Sequence, residues 1–161
     1  MAPADRRHRH LNMFPGDRTA AGIAFTRRTL ADWHLTDPAA CTDALLVAAE
    51  LLANAAQHTP GPERLDIDLG PAGLTLAVTD PSTDIPRPGA LRPDTPHGHG
   101  LVIVDRLALA WGHRPTPTGK TVWALLPARA TDSSGRREHP RGVRRGGPER
   151  RRDGRAGARR G

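Results

Sequence analysis

The chain has 161 residues, enough for one domain of roughly 130 residues with tails, a size that buries about two-thirds of its unfolded surface. Hydrophobic residues make up 37% but aromatics only 3%, so the core has to come from Leu, Val, Ile and Ala, and the single cysteine, Cys41, excludes an intrachain disulfide framework or thiolate zinc site. The net charge of +7 suggests nucleic acid until it is mapped: from Gly135 onward eleven Arg face three acids (+8), leaving 13 basic and 14 acidic residues (−1) elsewhere.

Residues 1 to 10 are polar and read as a flexible, frayed N-terminus; MAPADRRHRH has no apolar stretch to make a secretory signal. Leu11, Met13 and Phe14 alternate like an edge strand closed by Pro15-Gly16, and Asp17 is a candidate cap for a helix with Ile23, Arg27, Leu30 and His34 at helical spacing. A second helix opens at Asp37-Pro38, runs through DALLVAAELLANAAQH and stops at Thr59-Pro60-Gly61. LDIDLG and LTLAVTD then alternate with period two around Pro71-Ala72-Gly73, which predicts a β-hairpin. A long Pro/Gly/Asp-rich loop from Pro81 to about His99 precedes a third helix, GLVIVDRLALAW, ended by Trp111-Gly112; after a Pro-rich turn KTVWALLP supplies a strand. No run approaches the ~18–20 apolar residues of a membrane span, so the expectation is a soluble, cytoplasmic protein.

The expected order is β-α-α-β-β-loop-α-β-β. It implies an α+β fold, a two-layer sandwich in which helices cover one face of a mixed, mostly antiparallel sheet. The domain spans 11–127. Residues 128–161 lack apolar periodicity and read as an Arg/Gly/Pro-rich disordered tail. Arg clusters bind phosphates, yet no aromatic is interleaved to stack on bases, so nucleic acid is expected at most as a non-specific partner of the tail. The use of one Lys (Lys120) beside 23 Arg, with abundant Ala, Gly and Pro, is simplest as a GC-rich coding bias.

Within the second helix Glu50, Asn54 and His58 fall at i, i+4 and i+8, which stacks them on one face. A carboxylate and an amide on so apolar a helix are costly unless something binds them, and both are hard oxygen donors of the kind Mg²⁺ accepts. The competing reading is the solvated side of an amphipathic helix. On this helix alone the two are even.

AELLANAAQH resembles the N-box of the GHKL superfamily of ATP-binding domains; LTLAVTDPSTDIPRPG resembles its adenine-binding segment, and HGHGLVIVDRLALAWGHRPTPTGKTVWALLP its glycine lid, helix and closing strands. Within the superfamily the likeness is closest to the small anti-sigma-factor serine/threonine kinases, and it covers Leu11 to Pro127. The resemblance implies a GHKL/histidine-kinase-like ATPase fold with ATP and Mg²⁺ as cofactors. It implies that Asn54 supplies an oxygen to Mg²⁺, that Glu50 acts as general base, and that His58 lies near the phosphates. Asp80 would accept from the adenine amino group, Gly98-His99-Gly100-Leu101 would form the second glycine box, and the Thr121 hydroxyl would help hold the adenine end. In place of Asp-x-Gly-x-Gly the first box is Asp80-Pro81-Ser82-Thr83-Asp84, without either glycine.

The implied activity is phosphoryl transfer from Mg–ATP to a serine of an anti-sigma-factor antagonist, with a sigma factor as further partner and a homodimer as the family's assembly. The alternative is a catalytically weak or inactive ATP-binding partner-interaction module that regulates transcription or signalling. A histidine kinase is disfavoured, since no dimerisation helix pair with a phospho-accepting His precedes the domain. Gly119-Lys120-Thr121 looks like the end of a P-loop, but the earlier glycine would fall at Arg114 and a strand pattern follows.

Overall fold

A strand written Leu-Asp-Ile-Asp-Leu can bury only one side, and the architecture follows from covering that side. The structure, a computed structural model, describes residues 6–16, 19–86 and 100–128. The elements are β1 (Arg7–Asn12), α1 (Thr19–Asp32), α2 (Pro38–His58), β2 (Arg64–Gly70), β3 (Gly73–Asp80), α3 (Gly100–Leu107), β4 (Ala110–Thr116) and β5 (Gly119–Leu126). They form a five-stranded sheet in the order β1-β2-β3-β5-β4. Among the described residues every pairing is antiparallel, and the expected α+β sandwich with its mostly antiparallel sheet holds. The chain divides between Thr131 and Asp132, and every described residue belongs to the first unit. The tail read as disordered lies outside the described residues, apart from Ala128, which packs half-buried against the core.

Register carries the hydrophobic pattern across the sheet. Leu65, Ile67 and Leu69 face Val78, Leu76 and Leu74, which in turn oppose Val122, Ala124 and Leu126; all nine are buried. Against this face lies α2, which packs on β3 and β5 and between α1 and α3. Its Ala44, Val47, Ala48, Leu51, Leu52 and Ala55 recur at helical spacing and are all buried. Asp37 caps the helix, its carboxylate accepting from the Ala39 amide at 3.1 Å, with Pro38 in the first turn as expected. α2 is, by length and composition, apolar enough to cross a membrane, contrary to the reading that no such run exists. Its Ala-rich sequence passes that test because a central core helix needs apolar residues on more than one side.

The end of α1 is a Schellman turn. The Leu35 amide reaches the Leu30 carbonyl and the His34 amide the Ala31 carbonyl, both at 3.0 Å. His34 takes the left-handed conformation (φ 57°), and the buried Leu30 and Leu35 close the hydrophobic side of the motif. Asp17, the expected cap at the other end, lies outside the described residues.

Two boundaries differ from expectation. β1 starts at Arg7, inside the segment read as frayed: its alternate residues Arg7 and Arg9 bond the Trp33 carbonyl (3.1 Å) and Asp32 (2.5 Å), which fastens a polar strand to α1. α3 ends at Leu107, and Trp111-Gly112 lie on β4. The Leu109 amide already donates to the Leu125 carbonyl at 2.8 Å, so strand pairing outcompetes the last turn of the apolar run. β4 is an edge strand, where Pro115 is tolerated because its missing amide need not face a partner.

Candidate functional site

Asp80 ends β3 on the helix-covered face, opposite Lys120 of β5. Asp80 is 1% exposed and Lys120 6%, and the Lys120 Nζ donates to Asp80 Oδ1 at 3.0 Å. The same oxygen accepts from the Ser82 amide at 2.8 Å, an Asx turn that starts the following loop. Lys120 also approaches the Ser82 carbonyl at 3.4 Å. Asp80 Oδ2 is buried and, among the described residues, has no hydrogen-bond partner. One carboxylate oxygen is therefore doubly held and the other is a free acceptor. Gly119 permits this packing, since a Cβ there would collide with the Asp80 carbonyl and with Pro81.

The Glu50 and Asn54 side chains are half-buried on α2. Among the described residues no hydrogen bond engages either one. The Glu50 carboxylate lies against the start of α3, so close that a Cβ on Gly100 would sit 2.5 Å from Glu50 Oε2. A glycine there lets the helix start approach the acid. Leu101 turns inward and is buried in the core. His58 is the last residue of α2, while Gly98 and His99 lie outside the described residues.

Thr121 is placed differently from Asp80. Its hydroxyl pairs with that of Thr79 at 2.8 Å, and the Thr79–Thr121 pair is one step along from Asp80–Lys120. Successive strand residues alternate faces, so this hydroxyl pair sits on the side of the sheet away from the Asp80 carboxylate. Gly119-Lys120-Thr121 opens a strand, and the P-loop geometry is absent.

Thus Glu50 and Gly100 meet directly, Asp80 meets Lys120, and Thr121 belongs to neither group. From sequence Lys120 stands out only as the single lysine and as part of a false P-loop, with no role in the site. The available signal was its being the one lysine in a chain that otherwise uses arginine: a compact ammonium fits a buried single-oxygen contact that a planar guanidinium fork does not. Elsewhere, burial and then the nearby Asp37 charge raise the Cys41 thiol above its usual range, and its Sγ donates to the Leu35 carbonyl at 3.1 Å. That is the setting of an unreactive thiol. The hydrogen bonds to Asp66 raise the Arg64 guanidinium, against a smaller lowering by burial. No protein-family model and no curated protein sequence matches the chain.

Proposed function

We propose that the chain is a cytoplasmic GHKL-type regulator that binds Mg–ATP and transfers the γ-phosphate to a serine of an anti-sigma-factor antagonist. The observation that carries the nucleotide half is Asp80 Oδ2, a buried acceptor without a donor among the described residues. Leaving a buried polar atom unpaired costs about 1–3 kcal/mol, and an exocyclic amino group is the donor such a carboxylate suits. Lys120 offsets the buried negative charge and holds the carboxylate so that Oδ2 is the oxygen left for a ligand.

The donor set on α2 fits the metal. Asn54 and Glu50 are hard oxygen donors with no hydrogen bond among the described residues. In this reading Asn54 would hold Mg²⁺, His58 and the Gly98–Leu101 box would serve the phosphates, and Thr121 would steady β5 through Thr79 rather than touch the base. Bound Mg–ATP supplies the phosphoryl group and most of its charge neutralisation. The chain itself orients the acceptor serine and takes its hydroxyl proton at Glu50.

A second reading, an ATP-binding interaction module without transfer, is favoured by one feature: the first box, Asp80-Pro81-Ser82-Thr83-Asp84, lacks both glycines. Calorimetric titration of Mg–ATP into the full chain tests the shared half. Asn54→Ala should weaken binding at least about tenfold, as loss of a metal-holding group does; unchanged binding sinks the site assignment. Incubation with labelled ATP and the antagonist then separates the readings, because phosphoserine on the antagonist is produced only by a kinase.

A further inference from the structure

The outer face of the sheet, away from the helices, carries a second constellation. On β1, His8 and His10 are two residues apart and project from the same side. Across the ladder His10 opposes Asp66 and His8 opposes Asp68, a spacing at which facing side chains touch. The two imidazoles lie 5.9 Å apart, centroid to centroid. One ligand atom from each of His8, His10 and Asp66 falls within 4.8 Å of the others.

We propose that His8, His10 and Asp66 form a binding site for a borderline divalent transition ion such as Zn²⁺, with Asp68 orienting His8. His8 Nδ1 sits 2.8 Å from Asp68 Oδ1, while its Nε2 faces Asp66 Oδ1 at 3.5 Å. An Nδ1–H donated to Asp68 would leave the Nε2 lone pair facing the Asp66 carboxylate, an arrangement that a cation held between the two favours. Ligands at 2.0–2.1 Å from a tetrahedral ion stand about 3.4 Å apart, close to the observed separation. The carboxylate–imidazole pairing is the second-shell arrangement that fixes the tautomer of a metal-bound histidine. Two imidazoles and one carboxylate suit Zn²⁺ and leave its fourth position to water, whereas Mg²⁺ and Ca²⁺ prefer oxygen alone. Both histidines are exposed, which leaves the His10 ring room to turn toward a shared ion.

Arg64 is the competing cation. It grips both oxygens of Asp66 at 2.8–2.9 Å, and its charge opposes a metal while its hydrogen bonds orient the ligand. The ion would add a clip from the edge strand β1 to β2 on the outer face, opposite the side where Leu11 meets Leu65.

The test is calorimetric titration of ZnCl₂ into the full chain, with thermal melts in parallel. His10→Ala and Asp66→Asn should each weaken zinc binding at least about tenfold, and Asp68→Asn by about tenfold as a second-shell change. Arg64→Ala should tighten it. Zinc should raise the melting temperature of the parent and not of His10→Ala. A double His97→Ala/His99→Ala variant should bind as the parent does. The proposal is overturned if the parent shows no saturable binding, if His10→Ala and Asp66→Asn titrate like the parent, or if binding is lost with His97 and His99. In each of those cases His8 is only a polar surface neighbour of Asp66 and Asp68.

Discussion

Two charge clusters occupy the two faces of one sheet and teach opposite lessons. On the helix side Asp80 and Lys120 form a single pair almost sealed from solvent. On the outer side His8, Arg64, Asp66 and Asp68 share more contacts, yet His8, Arg64 and Asp68 remain two-fifths to half exposed. Water compensates whatever is removed from the outer cluster. Nothing compensates the inner one, so the cluster with fewer contacts is the one that should matter more to stability.

The largest effect should come from breaking the inner pair. Lys120→Met leaves an uncompensated buried carboxylate, and denaturant unfolding should show a loss of about 3–5 kcal/mol. The double variant Asp80→Leu/Lys120→Met should recover most of that loss, because a buried pair replaced by apolar groups of similar volume is often neutral. A double variant as unstable as the single would show that the pair is not the cause. Lys120→Arg keeps the charge but adds volume beside Asp80, and a cost of about 1–3 kcal/mol is expected. At the small end, Arg64→Ala should cost under about 1 kcal/mol. That cost should shrink further near 1 M salt, where screening reaches about 3 Å. An Arg64→Ala loss as large as that of Lys120→Met would erase the contrast between the faces.

The same contrast explains what could be read from sequence. The hairpin of β2 and β3 announces itself through alternation about Pro71-Ala72, and the start of α2 through Asp37-Pro38, because both signals are local. The change from α3 to β4 has no local marker: Leu107, Ala108 and Leu109 continue an apolar run that is cut by the distant Leu125 carbonyl. The first four residues of β1, Arg7 to His10, are hidden for the converse reason, since arginines and histidines look like solvent-facing chain until Trp33, Asp32, Asp66 and Asp68 are brought beside them. In the candidate site Glu50, Asn54 and Asp80 stand out by type and spacing. Lys120 does not, because its meaning depends on which residue lies opposite, and the opposition of Thr79 to Thr121 separates Thr121 from Asp80 in the same way. Register is a property of two strands, and a single segment does not contain it.

Lys120 has a practical consequence. It carries the only ε-amine in the chain, and the fold encloses it. Amine-reactive dyes and lysine acylation should therefore modify the native protein only at its α-amine, and a second label should attach as the domain opens. The count of labels per molecule would then report the fraction unfolded, residue-specifically and without an engineered probe.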